Sequence, residues 1–283
     1  MKVIYQDKNA LVLQSALFQT NTTVIETEDM ILVVDPNWLP IEIAQIRHHV
    51  IATEEATKGE AKATQKPVWL LFTHSDYDHI IGYAAFSDIA AGVIASRAFV
   101  ENLGKVGILE QIKQFDDEYY IARPYPIDYP SVSYIVEDEG QVLEIGNTKL
   151  TFFHATGHNP DGIFTIVNNI LIAGDYLCDV EFPYIYHSSW AYQETLNKIE
   201  PLIQQFGIQL FINGHGNPTT DKAEIKRRKE EALEYIGNVR GSIRAGKYFD
   251  FDSYLLEKGF QFPRIMRRFH EGNLNIMRQE EFG

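Results

Sequence analysis

Thr73-His74-Ser75-Asp76-Tyr77-Asp78-His79 is the stretch on which the reading of this chain turns. His74, Asp76, Asp78 and His79 are all potential metal ligands, and they crowd into six residues. The apolar run Val68-Trp69-Leu70-Leu71-Phe72 leads into them and predicts a buried strand, whereas Ile80 to Phe86 follows with helical spacing. The cluster is therefore expected on a strand-to-helix turn, where side chains are held at the open end of a sheet and free N–H groups favour carboxylates. Imidazoles and carboxylates are the donors that suit zinc, iron or manganese. Taken alone, Ser-Asp-Tyr-Asp also reads as an N-cap and an acidic first turn.

A chain of 283 residues with 45% hydrophobic content can bury a substantial core. Its 39 acidic and 25 basic residues leave a net charge of −14, which repels phosphate backbones and anionic lipid. Nucleic acid is not an expected partner. The single cysteine, Cys178, excludes an intrachain disulfide and a thiolate metal cluster. The first residues lack an apolar signal core, and no run is long enough to span a bilayer, so a cytoplasmic protein without membrane association is expected.

Working outward, short apolar runs at Val3–Tyr5, Leu11–Leu13, Thr22–Ile25 and Ile31–Asp35 read as strands, the last apolar on both faces as a central strand would be. Asp35 ends it, either as a cap or as a carboxylate standing behind a metal ligand. Residues 41 to 50 predict a helix, and residues 53 to 66 an exposed extension or loop, with His48 and His49 on the surface. A strand at Gly92–Ser96 and a helical stretch to about residue 118 follow. The Tyr- and Pro-rich segment 115–130 predicts an ordered but irregular loop. Strands are expected at 141–145, 150–153, 162–167 and 170–173, with Asn168-Asn169 as a tight turn. Residues 190–206 have a helical pattern with a break or restart at Pro201 and a stop at Gly207. Gln209–Ile212 is another apolar strand, and a long helix begins near Lys222, its mixed charges marking a solvated face. No repeat, low-complexity tract or dividing linker is visible, so the expectation is one domain over 1–283, with a core to about residue 220 and a helical extension over 221–283.

Three further turns share the character of the first. Gly157-His158, Gly174-Asp175 and Gly214-His215 each fall where an apolar run meets a Gly-bearing loop. A lone buried histidine is usually a satisfied core residue, and Gly-Asp after a strand is usually a turn. Four such coincidences in one chain favour a metal site.

In this order the motifs resemble the metallo-β-lactamase superfamily, whose signature is Thr-His-x-His-x-Asp-His followed by Gly-His, Gly-Asp and Gly-His turns. The resemblance spans about residues 10 to 220, and Asp35 stands where that family usually ends an early strand with aspartate. It implies an α/β fold, the αββα four-layer sandwich of two mixed β-sheets, holding two divalent metal ions at one edge, zinc first among them. By the same resemblance His74, the residue at 76 and His158 hold one ion, Asp78, His79 and His215 the other, and Asp175 bridges them. The departure is Asp76, which replaces the family's second histidine. An anionic oxygen donor there shifts preference toward iron or manganese, as the glutamate of flavodiiron oxygen reductases does at that place.

Two cations about 4 Å apart bring a shared water near neutrality and polarise the bond under attack, so no serine or cysteine nucleophile is needed. The expectation is a binuclear hydrolase using a metal-bound hydroxide on a small ester, lactone or thioester. Phosphodiester and β-lactam substrates are the alternatives in that class, and an iron-binding redox protein or a non-catalytic member of the fold are the alternatives outside it. Asp78 is the candidate to pass a proton, and the Tyr176 hydroxyl to steady an oxyanion, with aromatic packing as its other reading. Tyr184, Tyr186 and His187 follow in a loop that also reads as facing a pocket. The partner expected is a small-molecule substrate; the oligomeric state is left open, a homodimer included.

Overall fold

Val, Ile and Leu crowd the first third of the chain in runs broken by polar turns, and in the computed structural model these runs pair into a seven-stranded mixed sheet. The structure describes residues 1–58 and 66–283. It divides into two compact units, Met1–Phe153 with Thr165–Asn168, and His154–Phe164 with Asn169–Gly283.

In the first unit β1 (Lys2–Gln6), β2 (Ala10–Gln14), β3 (Asn21–Glu26) and β4 (Ile31–Val34) pair antiparallel in sequence order. Helix α1 (Pro40–Lys58) then crosses over, and β5 (Val68–Leu71) lies parallel to β4. Of the segment 53–66, residues 59–65 fall outside the described residues. After β5 comes α2 (Tyr77–Ile80), then β6 (Ala90–Ser96) parallel to β5, α3 (Arg97–Glu101), α4 (Lys105–Glu118) and β7 (Tyr134–Val136) parallel to β6. Val34 stands opposite Leu71, and Leu71 opposite Ile94, so β4 and β5 finish level and β6 runs two residues further. At or just past their C-terminal ends, where an α/β sheet opens to ligands, lie Asp35, Thr73 and Ser96.

The helix expected over Ile80 to Phe86 is only one turn long, with a 3₁₀ turn at Tyr83–Ala85 after it. Gly82 is the cause: its N–H donates to the Pro36 carbonyl at 3.0 Å, and a Cβ there would stand 2.2 Å from that oxygen. The backbone folds back onto the β4 turn at the one residue able to come so close. Beneath it Trp38, Phe72, Phe86 and Phe99 are fully buried, Phe72 and Phe99 stacked at 5.9 Å. Each such side chain contributes about 2 to 3 kcal/mol by leaving water, and together they hold the β5 turn rigid. Residues from Ile121 to Ser133 form no helix or strand, as the Tyr-Pro composition predicts.

A second sheet has five strands, β8 (Val142–Ile145), β9 (Thr148–His154), β10 (Ile163–Val167), β11 (Ile170–Ile172) and β12 (Leu210–Ile212). It too is mixed, β8 and β9 pairing antiparallel and β11 and β12 parallel. Asn168, between β10 and β11, has φ +54°, a conformation Asn tolerates. In the second unit β11 and β12 end side by side, and the pairing continues past them: Ala173 N–H donates to Ile212 O at 2.8 Å and Gly214 N–H to Gly174 O at 2.6 Å. That ladder brings the turns of Asp175 and His215 together.

Between them α5 (Ser189–Phe206) starts on the Ser188 cap, runs unbroken through Pro201 and stops at left-handed Gly207. The break expected at Pro201 does not occur; the buried face of Leu196, Ile199, Leu202 and Ile203 holds the helix through the missing N–H. Three helices complete the unit: α6 (Lys222–Arg244), α7 (Phe251–Lys258) and α8 (Pro263–Phe282). They meet around an aromatic cluster of Phe182, Tyr235, Phe251, Tyr254 and His270. The fold class is as expected, two mixed sheets with helices and a helical C-terminal region.

Candidate metal centre

In the first unit Asp35 anchors the centre. Its φ of +46° is rare for a residue with a Cβ, and the strained backbone turns the side chain under the β5 turn. Oδ1 accepts the Thr73 N–H at 2.9 Å, Oδ2 accepts the Thr73 hydroxyl at 2.6 Å, and Oδ2 also lies 3.0 Å from His79 Nδ1. At 2% exposure such a carboxylate is tolerated only with partners of this kind. The His79 ring is thereby fixed with Nε2 3.8 Å from Asp78 Oδ2. His74 repeats the arrangement: Nδ1 stands 3.0 Å from the Thr73 hydroxyl and Nε2 3.6 Å from Asp76 Oδ2. The two rings lie 4.1 Å apart.

Asp76 occupies the N-cap position of α2 with extended backbone, yet its side chain makes no cap hydrogen bond. Its carboxylate stands by His74, and Asp78 supplies the acidic residue in the first turn of α2. Asp78 Oδ2 accepts from the Thr20 hydroxyl at 3.0 Å. Ser75 accepts from Asn102 between α3 and α4, tying the turn to the next connection.

The second unit assembles the other three expected residues. His158 sits on a turn whose Gly157 has φ +130°, and a Cβ at that glycine would lie 2.3 Å from the Tyr192 nitrogen. Only glycine lets the turn rest on the first turn of α5. The His158 ring is held through Nδ1, 2.7 Å from the Tyr184 carbonyl, and its Nε2 is 3.4 Å from Asp175 Oδ2. His215 Nε2 lies 3.2 Å from the same oxygen. Glu181 joins them, with ligand atoms of Asp175, Glu181 and His215 all within 4.8 Å of one another.

Tyr176 is buried, and its hydroxyl lies along the backbone of the His158 turn. It accepts the His158 N–H at 3.1 Å and faces the Thr156 and Ala155 carbonyls at 2.9 and 3.1 Å. Burial raises its pKa well above that of an ordinary tyrosine. Tyr186 lies 5.1 Å from the His158 ring, Tyr184 packs at a tilt on Phe269 of α8 at 4.1 Å, and His187 is exposed.

The structure also shows supports that no motif announces. Asn273 of α8 donates to the Pro183 carbonyl at 2.7 Å and accepts the Ile185 N–H at 2.9 Å, clamping the loop that carries Glu181 and Tyr184. Arg228 of α6 is buried, donating to Glu224 on its own helix and to the carbonyls of Leu177 and Asn217. Nothing in the primary structure singles out either residue.

A model of the metallo-β-lactamase superfamily matches residues 16–204. The chain belongs to this superfamily. Solved structures share the fold at low identity. A stereoselective inverting sec-alkylsulfatase from Pseudomonas sp. aligns with a TM-score of 0.66 at 13% identity over 99% of this chain and 50% of its own. An archaeal metallo-β-lactamase superfamily protein from Sulfolobus tokodaii gives 0.56 at 15% identity, covering 97% of this chain and all of its own. A motif mutant of a metallo-β-lactamase from Cronobacter sakazakii gives 0.55 at 17% identity, over 87% and 99%. The chain spans about half the length of the alkylsulfatase it matches. No curated protein matches it in sequence. Among the described residues, no helix is long and apolar enough to cross a membrane.

Members of the superfamily typically bind divalent metals, and the donors here suit them. In each unit buried imidazoles have Nδ1 pinned by a protein oxygen and Nε2 set against a carboxylate. That is how ligating histidines are oriented by their outer partners.

Proposed function

We propose that the chain is a binuclear metal-dependent hydrolase acting on a small ester, lactone or thioester. His74, Asp76 and His158 would hold one ion, Asp78, His79 and His215 the second, and Asp175 both. Superfamily membership supports this joining of the two sets of ligands. Two such ions, when bound, supply an activated water and polarise the acyl oxygen under attack. The observation that carries the reading is the pinning of His79, His74 and His158 through Nδ1, which leaves three Nε2 atoms set against carboxylates.

The chain's own residues do the rest. Asp35 and the Tyr184 carbonyl hold rings in one tautomer and one orientation. Asp78, whose Oδ2 accepts from the Thr20 hydroxyl, would accept a proton and return it to the leaving group. Tyr176, with its hydroxyl on the His158 turn, acts as a positioning residue. Acidic balance favours small neutral acyl compounds over polyanions.

Asp76 supports a second reading, in which the carboxylate selects iron and the protein acts as a redox member of the fold. Metal analysis of protein purified without added metal, followed by assay of lactones, thioesters, phosphodiesters and alkyl sulfates with zinc, manganese and iron, tests both. Lactone or thioester turnover with two ions per chain is the expected result. Tightly held iron with visible absorption and no hydrolysis overturns it in favour of redox chemistry.

A further inference from the structure

Six residues beyond Asp175, in the irregular loop before α5, Glu181 directs its carboxylate toward the ligands of the second unit. One of its oxygens, an Asp175 oxygen and a His215 nitrogen lie mutually within 4.8 Å. The loop is not slack at this point. The Tyr184 hydroxyl hydrogen-bonds Glu181, the Tyr184 carbonyl holds His158, and Asn273 grips the backbone on both sides of Tyr184. One clamped segment thus fixes a ligand histidine and Glu181 together. Glu181 and Asp175 also line a common cavity of about 100 Å³, which Arg227, Arg228 and Lys258 line as well.

Two carboxylates this close repel one another, a divalent cation between them relieves that repulsion, and an imidazole set against both is a donor such an ion takes. We propose that Glu181 is a further metal ligand, adding a carboxylate to Asp175 and His215; the inference rests on the assignment of metals made above. Its consequence is in the charge. Asp76, Asp78, Asp175 and Glu181 carry four negative charges, which two divalent ions cancel in full, with four imidazoles as the neutral donors. A centre so rich in carboxylate prefers hard ions such as manganese or ferrous iron to zinc.

The test compares metal-free wild type with Glu181→Gln, titrated calorimetrically with Mn²⁺ and separately with Zn²⁺, with circular dichroism to confirm folding. Wild type is expected to take two Mn²⁺ per chain. The variant should lose one Mn²⁺, or bind it at least about tenfold more weakly, with a smaller loss for Zn²⁺. Unchanged Mn²⁺ binding in the variant overturns the inference, and so does an equal loss for both metals, which is what a merely structural Glu181 would produce. Absence of Mn²⁺ and Zn²⁺ binding by wild type would instead overturn the metal assignment itself. Should the variant fail to fold, anomalous scattering from a manganese-loaded wild-type crystal decides: a Glu181 oxygen in the ion's coordination sphere supports the proposal, and Glu181 turned away from it refutes it.

Discussion

Asp35 Oδ2 lies 3.0 Å from Nδ1 of His79, at the foot of the turn that carries four of the candidate ligands. The pair joins the end of β4 to α2 and leaves His79 one orientation. Asp35→Asn preserves the volume and one hydrogen bond to Thr73 but removes the anionic acceptor. Metal affinity is expected to fall about 10- to 100-fold, with a helix and strand content unchanged by circular dichroism. Wild-type affinity in this variant would mean that the carboxylate serves the backbone turn alone.

Asp76 is where the chain leaves its family's pattern, and its carboxylate stands 3.6 Å from His74 Nε2 while capping nothing. Asp76→His restores a neutral nitrogen donor and adds one unit of positive charge to the loaded centre. Zinc should then bind more tightly relative to manganese, by about tenfold or more, in competition titrations followed by elemental analysis. An unchanged ratio would show that Asp76 holds no metal.

Tyr176 separates two roles cleanly. A hydroxyl that stabilises an oxyanion is worth about 10²- to 10³-fold in kcat. One that fixes the His158 turn is worth about 1 to 2 kcal/mol of stability and acts on the chemistry only through the ligand. Because the hydroxyl lies among the His158 N–H and the Thr156 and Ala155 carbonyls, Tyr176→Phe is expected to lower the denaturation midpoint and metal affinity. At saturating metal, kcat should stay within about fivefold of wild type; a loss of a hundredfold there would restore the oxyanion role.

How far the sequence led follows from where the physics is local. Strands such as Ile31–Val34 and Val68–Leu71 are legible because burial on both faces leaves a continuous apolar run, and the turns after them because glycine and aspartate mark them. Clustering of His74 with Asp76, and of His158 with Asp175, follows from the ordered motifs. Glu181 was not legible, because its place depends on a loop gripped by Asn273 some ninety residues later. Pro201 misled for a related reason: intrinsic helix-breaking is local, whereas the buried face of α5 that overrides it is tertiary. Arg228 reads as one more surface charge on α6 until its carbonyl partners are seen.

Asn273 gives the C-terminal helices a measurable purpose. Replacing it with alanine leaves the Ile185 N–H without its acceptor inside the protein and frees the Pro183 carbonyl, at a cost of about 2 to 3 kcal/mol. If α8 positions the loop, Asn273→Ala should also weaken metal binding although it lies outside the ligand set. Urea unfolding and a metal titration on the same preparation distinguish this from simple destabilisation, in which affinity at low temperature would not change.

His270 makes the same helices sensitive to acid. Burial, with Arg278 adding its charge, pulls the imidazole down from 6.5 to about 4, and the ring stacks on Phe251 at 4.0 Å with Tyr235 Oη 2.7 Å from Nδ1. Its folded pKa lies below its unfolded value, so between pH 6.5 and about 4 the unfolded chain binds the extra proton. Stability is therefore full above pH 6.5 and declines as pH falls through that window, by about 2 kcal/mol from this residue after allowance for solvent screening. His270→Gln removes the titrating ring, so the difference in unfolding free energy between variant and wild type should shrink on acidification from pH 7 to 4. A difference constant over that range would show that His270 is not held neutral by its aromatic surroundings.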